Sequence, residues 1–223
     1  MARTHGMEAY LEGIYVLQSE GVTVLSSVLA DYLGVSRPTV SQTVARLTSA
    51  GYVRFGEGKE VLLTDRGLEL AESIVRRHRL LERWLTDELG LDWADAHVEA
   101  GRLEHAVSPL VEARLMERLG RPTTCPHGNI IPGTNAQLPP SRPLTEVEGP
   151  AEVTVVRILE QAEEDLDLLR FLHRAGLVPG ARIRRLEPQS AYEAGVPVAV
   201  GDARYALDEA VARRILVAHP APA

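Results

Sequence analysis

Two short helical segments that meet at Gly34 and run straight into a period-two stretch constrain this chain more than any other feature. Leu25 to Leu33 reads as a helix stopped by Gly34, and Ser36 caps another that runs through Pro38, Val40, Val44 and Leu47 to Gly51. Proline suits a helix start, because the N–H it lacks has no partner in the first turn anyway. Tyr52 to Phe55 and Val61 to Leu63 then alternate around the Gly56 to Gly58 turn, the pattern of a two-stranded wing. A preceding helix over residues 7–19 carries the stripe Met7, Tyr10, Leu11, Ile14, Tyr15 and Leu17, and residues 1–70 together read as a winged helix-turn-helix. On the side opposite Val40, Val44 and Leu47, Ser36, Pro38 and Gln42 are expected to face bases, with Thr39 and Ser41 beside them. Arg37, Arg46 and Arg54 are expected to hold phosphates.

Charge qualifies that reading. The net charge of −7 opposes nucleic acid as a whole-chain average. Its distribution does not: from Ser36 to Ser49 the only charged side chains are Arg37 and Arg46. A 45% hydrophobic share in 223 residues is ordinary for globular domains, and no apolar run approaches the roughly 18 residues of a membrane span, so no membrane partner is expected. One cysteine, Cys125, and a polar start without an export signal lead us to expect a cytoplasmic protein.

Beyond the wing the period becomes helical. A long helix is expected from about Asp65 to Leu89, a second from near Asp92 to Val107, and a third from Ser108-Pro109 to Gly120, giving a helical domain over residues 71–120. Trp93, Ala96, Leu103, Leu110 and Leu115 form apolar stripes that suit an interface with a second copy, although packing among the helices meets the same pattern. At about 100° per residue, His97, Gly101, Glu104 and His105 fall within an arc of roughly 120° on one helix, and His78 and Glu82 share a face of the helix before it. Any of these alone is an ordinary core or surface residue. Together, imidazoles and carboxylates on adjoining antiparallel helices make a donor set for Mn, Fe, Co or Zn in the divalent state.

Residues 121–150 hold seven prolines and read as loop and linker. Cys125 and His127 lie there, half a zinc site at best, and are expected to be structural loop residues. In residues 151–223, four strand candidates (Glu152 to Leu159, Arg182 to Leu186, Val196 to Val200, Arg204 to Leu207) and a helix from Asp165 to Arg174 suggest a small barrel. The fold class is therefore mainly α with a small β part.

Five segments carry a resemblance in the right order: Met7-Glu8-Ala9-Tyr10-Leu11-Glu12-Gly13-Ile14-Tyr15, Pro38-Thr39-Val40-Ser41-Gln42-Thr43-Val44-Ala45-Arg46, His78-Arg79-Leu80-Leu81-Glu82, Glu104-His105 and Cys125-Pro126-His127-Gly128-Asn129. From about Met7 onward the chain resembles the diphtheria toxin repressor and manganese transport regulator family of metal-activated transcription factors. The resemblance implies a helical dimerisation domain and an SH3-like barrel after the winged helix. It also implies a homodimer on a palindromic operator in double-stranded DNA, with Mn(II) or Fe(II) as corepressor of metal-uptake genes and other divalent ions able to substitute in vitro. It implies one metal position on His78, Glu82, His97, Glu160 and Glu163. A second would use Glu104 and His105, but Ala9 and Gly101 stand where relatives place ligands, leaving Glu12 as a substitute. Arg79 and Asn129 match an anion-holding pair. The competing readings are a winged-helix regulator with a degenerate metal site and a metallohydrolase; the latter lacks a catalytic motif such as His-Glu-x-x-His.

Overall fold

The computed structural model describes residues 6–190 and 194–219. The chain divides into two compact units, residues up to Arg77 and residues from His78 onward.

The first unit contains α1 (Met7–Ser19), α2 (Ser26–Leu33), α3 (Arg37–Ser49), the hairpin β1 (Val53–Phe55) and β2 (Val61–Leu63), and the opening turns of α4 (Asp65–Asp87). Gly34 ends α2 in the left-handed region, at φ 64°, which an L side chain resists. The Ser36 hydroxyl then accepts from the backbone N–H of Thr39 at 3.3 Å, a cap of the kind worth about 1 kcal/mol. Tyr10, Leu11, Ile14, Leu29, Val40, Val44 and Leu47 pack with Val53 and Val61 of the hairpin and Ala71 of α4. The hairpin pairs Val53 with Leu63 and Phe55 with Val61, so the strand residues facing the helices are the buried ones.

In the second unit α4 continues and is followed by α5 (Trp93–Leu103) and α6 (Pro109–Arg118). Asp92 and Ser108 cap these helices through their side-chain oxygens. The helix predicted to reach Val107 stops at Leu103, so Glu104 is its C-cap and His105 lies beyond it. A six-stranded antiparallel sheet follows, in the order β3-β8-β4-β5-β6-β7. Its strands are β3 (Arg142–Pro143), β4 (Ala151–Ile158), β5 (Arg182–Arg185), β6 (Val196–Val200), β7 (Ala203–Leu207) and β8 (Ile215–Ala218), with α7 (Leu166–Arg174) and α8 (Glu209–Arg213) inserted between them.

Helix α5 has two buried sides. Trp93 and Ala94 join Val153, Val155, Leu169, Leu172 and Ile215 in the core of the sheet domain, while Ala96 and Ala100 pack on Leu81 and Leu85 of α4. Trp93 and Ala96 are therefore internal, contrary to the expectation that they belong to a subunit interface. Leu103, Leu110 and Val111 do remain exposed. The proline-rich stretch is irregular, as expected, yet Cys125 to Asn129 are all buried. Among the described residues no helix is long and apolar enough to cross a membrane.

Candidate metal centre and DNA-reading helix

Four separate pieces of the second unit converge on one buried point. Helix α4 supplies His78 and Glu82 one turn apart, α5 supplies His97, and Glu163 follows the short 3-10 turn Glu160–Ala162 after β4. His78 Nε2 lies 3.1 Å from Glu82 Oε1 and 3.2 Å from His97 Nδ1. His97 Nδ1 lies 3.0 Å from Glu82 Oε1 and 3.6 Å from Glu163 Oε2. Donors that each sit about 2.0–2.2 Å from one ion lie roughly 3.0–3.6 Å from one another, so this spacing fits a shared cation.

The fourth piece is the loop that sequence reasoning set aside. Cys125 N–H donates to the Asn129 carbonyl and Gly128 N–H to that of Cys125, closing a tight turn, and the Arg83 guanidinium donates to the Cys125 carbonyl at 2.7 Å. Ile158 N–H donates to the His127 carbonyl at 2.8 Å, tying the turn to β4. Gly128 has φ 89°, and a Cβ there would stand 2.5 Å from the Val156 carbonyl oxygen. Only glycine lets the turn come this close. The result is a fully buried His127 whose Nδ1 lies 2.9 Å from Glu163 Oε1 and 3.6 Å from Glu82 Oε2, with its ring edge-on to Trp93. Glu82, Cys125 and His127 offer ligand atoms within 4.8 Å of one another, a second donor group.

The electrostatics of the cluster are those of a site built for positive charge. Burial disfavours the imidazolium of His78, but Glu82 and Glu104 outweigh it and hold its pKa well above the usual histidine value. His127 behaves alike, through Glu163 and Glu82. Burial alone would raise the Glu82 carboxyl, yet the His127 and His78 charges draw it well below the ordinary range. Burial pushes Glu163 and the Cys125 thiol up. Even so, Glu82 Oε2, Glu163 Oε2 and both ring nitrogens of His127 are buried without a hydrogen-bond partner. Orphaned buried polar atoms are rare and each costs about 1–3 kcal/mol. These orphans are all lone-pair bearers or can become so, which is the donor set a divalent cation satisfies.

Neighbouring residues hold the donors in place. Glu104 Oε2 lies 2.7 Å from His78 Nδ1, which directs the Nε2 lone pair into the cluster when Nδ1 carries the proton. Asn129 donates its side-chain amide to Glu163 Oε1 at 3.1 Å and to the Ile158 carbonyl at 3.0 Å. Arg79 forms a buried two-point pair with Glu160 and donates to the Ile130 carbonyl, and Glu160 raises its pKa in spite of burial. Two expectations are corrected here. Glu160 stands with Arg79 rather than among the metal donors, and Arg79 and Asn129 spend their donors on internal carboxylates and carbonyls rather than framing an external anion.

The second expected position is thinner. Glu104 is buried, but His105 is half exposed beyond the helix end, its Nε2 3.4 Å from Glu104 Oε1. At Gly101 an added Cβ would meet only His78 Cε1, at 4.0 Å, so the place of the missing ligand is open. Glu12 and Ala9 are half-buried on α1, in the first unit.

In that first unit Ser36, Arg37, Pro38, Thr39, Ser41, Gln42 and Arg46 are all exposed on α3 and its cap, and Arg54 is exposed on β1. Val40, Thr43, Val44 and Leu47 anchor the opposite side of the helix. Ser36 and Thr39 share a 2.7 Å hydroxyl contact, and Ser41 donates to the Arg37 carbonyl, so the hydroxyls are oriented by the helix itself.

Comparison with known proteins agrees with this division. Residues 3–61 match the iron dependent repressor N-terminal DNA binding domain, residues 64–133 the iron dependent repressor metal binding and dimerisation domain, and residues 142–219 the FeoA domain. The chain is 42% identical over 187 residues to the iron-dependent repressor IdeR of Mycobacterium tuberculosis, covering 79% of this chain and 81% of that protein. It is 38% identical over 185 residues to the diphtheria toxin repressor of Corynebacterium diphtheriae, covering 79% and 82%. A manganese-dependent transcriptional repressor solved in complex with manganese superposes with a TM-score of 0.83 at 35% identity, covering 96% of this chain and all of the other. The chain belongs to the diphtheria toxin repressor and manganese transport regulator family of metal-dependent, DNA-binding transcriptional repressors.

Proposed function

We propose that this chain is a cytoplasmic homodimeric repressor of metal-uptake genes with Mn(II) or Fe(II) as its corepressor. The observation that carries the reading is the buried set His78, Glu82, His97 and Glu163, whose donor atoms lie within 4.8 Å of one another. Its nitrogen and oxygen donors suit Mn(II) and Fe(II). Metal acts as corepressor by binding the DNA-competent arrangement of the dimer more tightly than the others. Leu103, Leu110 and Val111, exposed on α5 and α6, supply an apolar surface for the second copy, and a two-fold dimer asks for a palindromic operator. On α3, Gln42 reads a base edge and Arg46 a phosphate.

The test is fluorescence-anisotropy binding to DNA upstream of the protein's own gene and of nearby metal-transport genes, at fixed salt, with EDTA, Mn(II), anaerobic Fe(II) or Zn(II). Metal-stimulated binding that EDTA abolishes is expected. Replacement of Arg46 by alanine should weaken binding to all sequences and reduce the salt slope by about 1, whereas Gln42→Ala should relax preference at one base pair. Equal sequence-specific affinity in EDTA and in metal would leave a DNA reader with no metal switch.

A further inference from the structure

The two carboxylates of the buried cluster each face two ways. Glu82 turns Oε1 toward His78 Nε2 and His97 Nδ1, at 3.1 and 3.0 Å, and Oε2 toward His127 Nδ1, at 3.6 Å. Glu163 turns Oε2 toward His97 Nδ1, at 3.6 Å, and Oε1 toward His127 Nδ1, at 2.9 Å. One ion on the His78 and His97 side would use a single oxygen of each carboxylate. It would leave His127 and the second oxygen of Glu82 buried and unmatched, beside a buried thiol that belongs to the same donor group.

Resting on the reading of this cluster as a metal site, we propose that it is dinuclear. One divalent ion sits among His78, His97, Glu82 and Glu163, a second among His127, Cys125, Glu82 and Glu163, and the two carboxylates bridge them. Bridged pairs of this kind hold their ions about 3.5–4 Å apart. The charges close. The first ion balances Glu82 and Glu163. The second ionises the Cys125 thiol on coordination and releases its proton to solvent, leaving one positive charge that the buried Glu104, hydrogen-bonded to His78, offsets. The pockets also differ in chemistry. The first offers nitrogen and oxygen only, while the thiolate of the second favours Fe(II), Co(II) or Zn(II) over Mn(II).

The experiment is an anaerobic Co(II) titration of the His105→Ala chain, which thins the outer position. Bound metal is measured by equilibrium dialysis, the thiolate-to-cobalt charge-transfer band by absorption, and the spins by EPR. Two ions per chain are expected, with the band complete when half of the bound cobalt carries a thiolate, and with an EPR intensity below that of two isolated ions. Cys125→Ser should lose the band and one ion while the remaining cobalt regains an isolated-ion spectrum. Cobalt bound without the band, or two ions with the full intensity of isolated spins, overturns the bridged pair and leaves the single-metal reading standing. Failure to retain cobalt at all overturns both.

Discussion

The inner cluster and the outer position differ in what each looks like without metal. Donors of the inner cluster come from α4, α5, the Cys125–Asn129 turn and the segment after β4, and every one is nearly inaccessible. Those of the outer position come mainly from the end of α5, where Glu104 already bonds His78 and His105 reaches solvent. An ion entering the inner cluster removes a standing penalty from orphaned atoms. An ion entering the outer position competes with water and with a hydrogen bond already made. The inner cluster should therefore fill first. It also passes information outward: a cation on His78 Nε2 polarises the ring and strengthens its Nδ1–H bond to Glu104, fixing that carboxylate.

The largest effect should follow from removing the residue the inner cluster shares most widely. At metal concentrations about a hundredfold above Kd, binding stabilises by about 2.7 kcal/mol, roughly 5–10 °C for a chain of this size. Glu82→Ala should abolish that rise with Mn(II) in differential scanning calorimetry, and His105→Ala should keep most of it. The reverse ranking would mean that the outer position is the tighter one.

Gly101→Glu should move the two positions toward each other. Gly101 is helical and exposed, with room for a side chain, and a carboxylate there stands one turn before Glu104. Gain of a ligand should raise affinity at the outer position by at least about tenfold, read as a second, tighter Mn(II) isotherm in calorimetric titration. Glycine also weakens a helix interior by about 1 kcal/mol, so Gly101→Gln is the control: it should stabilise the helix without changing the isotherm. Equal gains from both substitutions would show a propensity effect and no ligation.

How much of this was readable beforehand varies by element. Periodicity and caps carried the helices, because Ser36, Asp92 and Ser108 cap as their positions imply. His78 and Glu82 were readable because i, i+4 spacing on a helix fixes a shared face. His105 was misplaced because helix ends are poorly marked: Gly101 and Glu104 continue the pattern, but the backbone leaves the helix after Leu103. Trp93 read as surface because one helix can bury two sides, and only the arrival of the barrel reveals the second. His127 was set aside because Cys125 and His127 are half a site within their own loop. The other half, Glu82 and Glu163, comes from segments far away in sequence that chain folding alone brings near. Glu160 and Glu163 have the same local pattern, and which one reaches the cluster depends on Arg79 drawing Glu160 aside.

The smallest expected effect is the pH dependence of the metal-free chain, and it again separates the two positions. His78 and His127 are held well above 6.5 by Glu82 and Glu163, against the opposing push of burial. Below 6.5 both remain protonated in folded and unfolded chains, and their contribution to stability is complete. Above it the unfolded chain releases these protons first, so stability falls as pH rises through the raised folded values. Glu163, raised by burial, acts in the same sense from a lower starting pH; Glu82, held well below 4.5, acts oppositely and only on the acid side. In EDTA, urea midpoints should therefore decline between about pH 6.5 and 9, and saturating Mn(II) should flatten the decline by taking the place of the protons. His105→Ala should keep this slope and Glu82→Ala should lose it, because the charge that lifts both histidines belongs to the inner carboxylate. A midpoint that rises with pH in EDTA would mean that the two histidines are neutral in the folded chain, and that the cluster is held by neutral hydrogen bonds instead of waiting for a cation.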